Sequence, residues 1–327
     1  MTSTPNPAIS PLALIADDMR AVDRVIAQRL TTSVPLIGQI SHYIIAAGGK
    51  RLRPALLLLV CGALGYEGAQ RFNLAAVVEL IHTATLLHDD VVDESTMRRG
   101  RATANESFGN PASVLVGDFL HTRSFQMMVE AGSMRIMEIL SEATNVIAEG
   151  EVQQLINMHD ASLDEAGYLR VIRSKTAKLF EASAQLGAIL AGSPPAIEAA
   201  CATYGQALGT AFQIIDDVLD YDGDTAEMGK NIGDDLREGK STLPLIAAMQ
   251  RGTPEQAATV RHAIEQGSTE SLEKIVAIVK ETGALEVARA AAHAEAQRAI
   301  TALACIPSNM YSASLLQLAA QLLARRT

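Results

Sequence analysis

Apolar residues recur three and four positions apart along almost the whole chain, which is the pattern of helices that bury one face. Leu74, Val77, Val78, Ile81 and Thr85 form one such stripe. Glycine and proline clusters separate the stripes, and no convincing alternation predicts a strand. Further stripes cover residues 13–31, 34–46, 54–64, 112–131, 134–158, 165–190, 196–221, 242–250, 255–265, 269–281, 284–304 and 310–325. We therefore predict an all-α fold, a single large bundle of about a dozen helices.

No stretch of the sequence is long enough to serve as a linker between two domains. The opening segment MTSTPNPAIS has no basic stretch before an apolar run, so it does not have the pattern of a signal peptide. We expect residues 1–10 to be a disordered tail and residues 11–327 to form one domain.

Composition and charge narrow the range of functions. Hydrophobic residues make up 48% of the 327 residues but aromatic residues only 4%, and Ala and Leu favour helices. The net charge of −10 argues against a nucleic-acid partner, because phosphates need a basic face. The most apolar run, residues 55–65, is too short to span a bilayer. The three cysteines have no metal-ligand spacing, and their odd number suits reduced thiols, so we expect a cytoplasmic protein. Transient contact with a membrane surface is compatible with this composition.

Two segments, LLHDDVVDE (residues 86–94) and FQIIDDVLD (residues 212–220), carry the same aspartate motif near the end of an apolar helix. The aspartates are Asp89, Asp90, Asp93, Asp216, Asp217 and Asp220. In each motif the first and last carboxylates stack one helical turn apart, where they repel each other and face the negative end of the helix dipole. A single motif is equally well explained as a solvated helix end, but two copies favour a cation. Hard oxygen ligands at this spacing suit Mg²⁺ that is shared with substrate phosphates.

Basic residues stand beside these acids. The segment GGKRLRP (residues 48–54) places Lys50 and Arg53 at the predicted start of a helix, where backbone N–H groups and cations bind anions. Arg98 and Arg99 follow the first motif directly. Further along the chain stand Lys175, Lys230 and Lys240. Each alone is an ordinary surface charge, but their positions next to the motifs predict a phosphate-binding site.

These segments resemble the trans-isoprenyl diphosphate synthase (polyprenyl synthetase) family, in which two aspartate-rich motifs face each other across a cavity. The likeness extends from GGKRLRP to GDDLREGKSTLPL (residues 233–245), and residues 83–119 are most similar to the bacterial octaprenyl diphosphate synthases of quinone biosynthesis. The resemblance implies an isoprenoid-synthase fold with a central apolar cavity, a homodimer, and three Mg²⁺ ions bound with the allylic diphosphate.

The resemblance also implies a role for each matching residue. Direct metal ligands would be Asp89, Asp93 and Asp216, with direct or water-mediated contact from Asp90, Asp217 and Asp220. The allylic diphosphate, with farnesyl diphosphate as the expected starter, would be held by Arg98, Lys175, Lys230 and Lys240. Isopentenyl diphosphate would be held by Lys50, Arg53, His82 and Arg99. Thr176 and Gln213 would line the reacting carbons.

Product length depends on the helix that carries the first motif. Ala84 and Thr85 lie about one turn before Asp89, and in short-chain relatives bulky aromatic residues near this point close the pocket. The resemblance therefore implies an open tunnel and a long product, although both residues also suit ordinary packing. About eight isoprene units need roughly 40 Å, or about 27 residues of helical rise. Met128 is the expected contributor to the distant floor.

Two other functions remain open at this level. A class I terpene cyclase also ionises an allylic diphosphate, but such enzymes usually have a different second motif and lack the GGKRLRP segment. A non-catalytic subunit of a heteromeric synthase typically has degraded aspartate motifs, whereas both motifs are intact here. Condensation to a long-chain prenyl diphosphate is therefore the preferred hypothesis.

Overall fold

The computed structural model describes residues 11–222 and 233–324, and most of these residues are helical. The first ten helices are α1 (Ala16–Arg29), α2 (Pro35–Ala46), α3 (Leu52–Ala63), α4 (Gln70–Val92), α5 (Ala104–Phe108), α6 (Asn110–Glu130), α7 (Met134–Asn157), α8 (Glu165–Ile172), α9 (Lys178–Leu190) and α10 (Pro195–Asp222). The remaining helices are α11 (Asp234–Arg237), α12 (Leu243–Arg251), α13 (Pro254–Gln266), α14 (Leu272–Glu281), α15 (Ala284–Ala302) and α16 (Met310–Leu323). The all-α prediction is confirmed.

Three further short elements complete the description. Single 3₁₀ turns lie at Ala13–Ile15 and Leu303–Cys305, and a π-helical turn, Arg173–Ala177, joins α8 to α9. A hairpin pairs β1 (Met97–Arg98) with β2 (Arg101–Ala102) in antiparallel register. The sequence predicted no strand, and two residues are too few for an alternating pattern to be seen. The tail expected at residues 1–10 lies outside the described residues, and the single domain stays a prediction.

Periodicity located most of the long helices within about three residues of their ends, because each buries one face in a shared core. The stripe at 165–190 is divided in the structure into α8, the π-helical turn and α9, and α4 extends beyond the stripe from Leu74 to Thr85 at both ends. The periodicity missed α5 and α11, which have five and four residues and so lack a full hydrophobic repeat. At the centre of the bundle, α4 packs against α1, α3 and α6, while α10 packs against α9 and α15. Both central helices are therefore apolar on most of their surface.

Helices α9 and α10 approach each other very closely at a glycine. A Cβ atom at Gly205 would lie 2.3 Å from the carbonyl oxygen of Phe180, so only glycine fits there. Both α4 and α10 end at an aspartate motif, as predicted: Asp93 is the C-cap of α4, and α10 ends two residues after Asp220. Within the described residues, we find no helix with the length and apolar character needed to cross a membrane.

Candidate active site

Both aspartate motifs open onto one cavity of about 910 Å³. The C-terminal ends of α4 and α10 form two of its walls, and the start of α3, the hairpin and the π-helical turn complete it. The predicted site residues that line it are Lys50, Arg53, His82, Thr85, Asp89, Asp93, Arg98, Arg99, Lys175, Thr176, Gln213, Asp216, Asp217, Asp220 and Lys240. The fold therefore brings acids and cations from distant parts of the chain to one place.

Four predicted residues are not among those that line the cavity. Asp90 and Met128 are both 0% exposed, and Ala84 is 3% exposed. Lys230 lies outside the described residues. Of the three residues expected to set product length, only Thr85 reaches the cavity wall.

The outer carboxylates of the first motif face two lysines. Oδ1 of Asp89 lies 3.9 Å from Nζ of Lys175, and Oδ2 of Asp93 lies 3.3 Å from Nζ of Lys240. Burial raises the pKa of Asp89; Lys175 opposes that rise and Asp93 adds to it. Two neighbouring carboxylates that disfavour each other's charge form a site that a cation stabilises.

The middle residue of the first motif has a different partner. Oδ1 of Asp90 accepts hydrogen bonds from the guanidinium of Arg98, at 2.8 Å from Nε and 2.7 Å from Nη2. Arg98 stands in β1, so the hairpin folds back over the end of α4. Oδ2 of Asp90 is buried without a hydrogen-bond partner among the described residues. Asp90 is thus a buried charge that depends on one cation.

The second motif is organised by neutral donors. Oδ2 of Asp217 accepts a hydrogen bond from the hydroxyl of Tyr168 at 2.5 Å, and Oδ1 accepts one from Nε2 of Gln213 at 2.7 Å. Thr176 in turn donates to Oε1 of Gln213 at 2.9 Å. Burial and Asp235 raise the pKa of Asp217, whereas the two donors favour its ionised form. Tyr168 was missed in the sequence, where no spacing relates it to the motif.

Lys175 and Thr176 lie in the π-helical turn, an element often found at functional sites because it shifts side chains out of helical register. A Cβ atom at Gly150 of α7 would lie 2.8 Å from the backbone nitrogen of Lys175. On the other side, a Cβ atom at Gly209 of α10 would lie 2.7 Å from Cα of Ala177. A larger residue at either glycine would displace the turn, so these two contacts fix where Lys175 and Thr176 lie.

Two glutamates hold the lysines beside the first motif. Nζ of Lys175 lies 2.6 Å from Oε2 of Glu151, and Lys240 contacts Glu238 as well as Asp93. Burial raises the pKa of Glu151 to about 7, although Lys175 acts against that rise. Burial acts to lower the pKa of Lys240, but the facing acids raise it. No spacing in the sequence relates Glu151 to Lys175, whereas Glu238 precedes Lys240 by two positions and was a usable signal.

The start of α3 supplies a second basic region. Arg51 has a left-handed backbone (φ 45°). Its Nη1 lies 2.6 Å from Oδ1 of Asp23, and its Nε lies 3.7 Å from Oε1 of Glu79. Arg53 stacks on Phe180, with its guanidinium carbon 4.5 Å from the ring centroid. Burial lowers the pKa of Arg53 to about 10, and its buried Nε has no hydrogen-bond partner among the described residues. A guanidinium in this state is suited to bind an anion.

Lys50, His82 and Arg99 line the same part of the cavity. Burial, with Arg53 and Arg99 nearby, lowers the pKa of His82 well below its usual value. His82 is therefore neutral at pH 7 and offers a hydrogen bond rather than a charge. The guanidinium of Arg99 packs on Gly49, where a Cβ atom would lie 2.8 Å from Nη1. Gly49 of GGKRLRP thus makes room for an arginine from the hairpin.

The donor set fits magnesium that is shared with a substrate. Asp89, Asp93, Asp216 and Asp220 all line the cavity and offer hard oxygen ligands. In residues 11–222 and 233–324, however, no group of three acidic, histidine or cysteine side chains is arranged to hold an ion. A Mg²⁺ ion held by so few carboxylates would need further oxygen ligands, which it typically takes from water and phosphate.

Comparison with known proteins agrees with the family resemblance of the sequence motifs. The polyprenyl synthetase family matches residues 34–281. The octaprenyl diphosphate synthase of Escherichia coli (strain K12) is 54% identical over 307 residues, which cover 94% of this chain and 95% of that enzyme. The geranyl-diphosphate-specific all-trans-nonaprenyl-diphosphate synthase of Rhodobacter capsulatus is 46% identical over 310 residues, which cover 94% of each chain.

Solved structures of polyprenyl and decaprenyl diphosphate synthases are also similar to this chain. A polyprenyl synthase from Caulobacter crescentus CB15, complexed with calcium and isoprenyl diphosphate, superposes with a TM-score of 0.94 at 45% identity. That superposition covers 97% of each chain. A decaprenyl diphosphate synthase from Rhodobacter capsulatus superposes with a TM-score of 0.92 at 47% identity, covering 97% of this chain and 98% of that one.

Proposed function

This chain belongs to the polyprenyl synthetase family, and from that premise we propose that it extends farnesyl diphosphate with isopentenyl diphosphate to octaprenyl diphosphate for a quinone side chain. It is a prenyltransferase whose product is a long all-trans polyprenyl diphosphate. One observation of the structure supports the diphosphate chemistry: both aspartate motifs and the basic residues beside them line one cavity. The proposed length of eight units is supported by the 54% identity to an octaprenyl diphosphate synthase.

We place the metal ligands at the outer aspartates Asp89, Asp93 and Asp216, with Asp220 in direct or water-mediated contact. When bound, Mg²⁺ would neutralise the diphosphate and favour its departure. The number of three ions rests on the family resemblance. Asp90 and Asp217 have oxygens engaged by protein donors, so we assign them an anchoring role.

Lys175, Lys240 and Arg98 are suited to hold the allylic diphosphate. The two lysines contact Asp89 and Asp93, and cations bound to these aspartates would replace those contacts. Glu151 and Glu238 would still hold the lysine ammonium groups beside the site, where they can meet phosphate oxygens. Lys230 has the same expected role and lies outside the described residues. Isopentenyl diphosphate would occupy the region around Lys50, Arg53, His82 and Arg99, where the partly unsatisfied guanidinium of Arg53 lies.

The reaction then follows from charge. The C–O bond of the allylic substrate breaks, and the basic residues stabilise the departing diphosphate as its negative charge develops. The double bond of isopentenyl diphosphate attacks the resulting cation, and the departed diphosphate is the proposed acceptor of the proton that is lost. Phe180 and Phe212, at the apolar part of the wall, help exclude water from the cation.

Product length is expected to depend on Thr85, which lines the cavity one turn before Asp89. Thr85→Phe would place an aromatic ring at this wall, so we expect shorter products when they are separated by chain length. Ala84→Phe would instead insert its ring at a buried position. An unchanged product from folded Thr85→Phe enzyme would remove this wall from the path of the growing chain.

The homodimer implied by the resemblance has a suitable surface on α6 and α7. These two helices contact each other, and both expose large apolar side chains. Leu115, Val129, Leu155 and Ile156 are 66%, 65%, 56% and 69% exposed. A second copy of this chain is the occupant we propose. Sedimentation equilibrium should give twice the mass of one 34.7 kDa chain, and a monomer would contradict the proposal.

The test of function is incubation of the purified protein with farnesyl diphosphate, labelled isopentenyl diphosphate and Mg²⁺. We expect one main long product, centred on eight isoprene units, and no product with EDTA. A different main length would overturn the octaprenyl assignment alone. Absence of incorporation by folded protein would favour a partner-dependent subunit, and cyclic hydrocarbon from farnesyl diphosphate alone would favour a terpene cyclase.

A further inference from the structure

A chain of three hydrogen bonds follows the wall of the cavity from α8 to the π-helical turn. It begins at the Tyr168 hydroxyl, which donates to Asp217, and continues through Gln213 to Thr176. Tyr168 is 4% exposed and Asp217 is 3% exposed, so water does not replace these partners readily. Thr176, at the far end, lies at the cavity wall.

The direction of these hydrogen bonds follows from Gln213, whose side-chain amide has a donor end and an acceptor end. Its Nε2 donates to Oδ1 of Asp217, so the NH₂ group is turned toward Asp217. The amide oxygen of Gln213 then faces Thr176, and the hydroxyl hydrogen of Thr176 is used in that contact. Toward the cavity, Thr176 has only oxygen lone pairs left to offer.

We infer that Tyr168 is a positioning residue for the condensation, because it fixes the Asp217 carboxylate that orients Gln213 and Thr176. Lone pairs at Thr176 stabilise positive charge on the reacting allylic carbons, whereas a hydroxyl hydrogen would oppose it. Tyr168 also lines the cavity, but its hydroxyl is occupied by Asp217, so it acts through the hydrogen-bond chain. This inference rests on the proposed prenyl transfer.

The structure also explains why Tyr168 holds a fixed place. Helix α8 is capped by Asp164, whose side chain accepts a hydrogen bond from the backbone nitrogen of Gly167 at 2.7 Å. Tyr168 lies in the first turn of this helix. The π-helical turn follows the last residue of α8 directly. Two consecutive short elements, α8 and the π-helical turn, thus carry the two ends of the hydrogen-bond chain, Tyr168 and Thr176.

Tyr168→Phe removes the hydroxyl and leaves the ring in place. With farnesyl and isopentenyl diphosphates, we expect kcat to fall by about tenfold and the KM of each substrate to change by less than about threefold. The matched control is Tyr204→Phe: Tyr204 is 0% exposed, and its hydroxyl donates to the carbonyl oxygen of Leu315 at 2.7 Å, away from the cavity. Both variants should lose thermal stability to a similar degree, but only Tyr168→Phe should lose kcat.

A double-mutant cycle with Thr176→Val tests whether Tyr168 acts through Thr176. If it does, adding Tyr168→Phe to Thr176→Val should lower kcat by less than about twofold more. Two independent effects would multiply instead, and that result would overturn the inference. The inference would also be overturned if the kcat of Tyr168→Phe equalled that of Tyr204→Phe. An inactive wild-type enzyme would contradict the proposed function itself, so the two failures are distinguishable.

Discussion

At the end of α4, Asp90 is fully buried and faces the guanidinium of Arg98. At the end of α10, Asp217 is almost as deeply buried but faces a tyrosine hydroxyl and a glutamine amide. The two residues occupy the same position of the same motif. In one region a full positive charge balances the carboxylate, and in the other two neutral hydrogen bonds do so.

This difference shows that the two motifs are equivalent only at their outer positions. The outer aspartates line the cavity in both motifs. The middle aspartate of the first motif anchors the hairpin that carries Arg98, and the middle aspartate of the second orients Gln213. The π-helical turn connects the two regions, because Lys175 approaches Asp89 and Thr176 bonds to Gln213.

The largest expected effect tests the equivalence of the outer positions. Asp89→Ala and Asp216→Ala should each lower turnover by about 10³-fold or more, because each removes a proposed metal ligand. Circular dichroism should show unchanged helical content, since loss of Asp89 relieves its repulsion with Asp93. Near-normal turnover in either variant would contradict the metal assignment at that motif.

Arg98→Ala tests how much the first motif depends on its cation. It leaves the fully buried Asp90 carboxylate unpaired, so we expect urea unfolding to show a loss of about 3 kcal/mol. Tyr168→Phe, which removes a neutral donor from Asp217, should cost only about 1 kcal/mol. As a control, Asp90→Asn added to Arg98→Ala should recover part of the stability. Equal losses in the two single variants would erase the contrast between the motifs.

Gly150→Ala tests the turn that connects the two regions. The added methyl group would meet the backbone of Lys175, so we expect a loss of about 2 kcal/mol in stability together with reduced turnover. Gly38→Ala is the matched control in α2, because a Cβ atom there meets nothing within 4 Å and should stabilise the helix. Normal turnover in Gly150→Ala would mean that the position of the turn is not critical.

The smallest effect is a pH dependence beside the first motif. The pKa of Glu151 is about 7 in the folded protein against an ordinary value of 4.5, so between these values the folded state binds more protons than the unfolded state. Its contribution to stability is therefore fully present below pH 4.5 and is lost as the pH rises through 7. Glu151 is 28% exposed, so we expect the wild type to lose about 1–2 kcal/mol across this window relative to Glu151→Gln.

The free energies of unfolding of the wild type and of Glu151→Gln are measured with urea at several pH values. Titratable groups that both proteins share cancel in the difference between the two free energies. Glu149→Gln, at an exposed position of the same helix, supplies the control and should show no such window. A constant difference between wild type and Glu151→Gln would exclude Glu151 as the titrating group.

Much of this protein was predictable from its sequence because the relevant rules are local. A helical repeat of 3.6 residues gave the long helices, and a spacing of four placed Asp89 over Asp93 and Asp216 over Asp220 on single helix faces. The basic segment before α3 was visible for the same reason. These features depend on neighbours within a turn or two.

The tertiary structure alone decided which partner each charge meets. Arg98 reaches Asp90 because the hairpin folds back, Glu151 reaches Lys175 from another helix, and Tyr168 reaches Asp217 across the bundle. Such pairs depend on which helices pack together and at what rotation, and no local repeat encodes that. The sequence thus determined which residues could carry the chemistry, while packing determined which of them face the cavity and which hold the others in place.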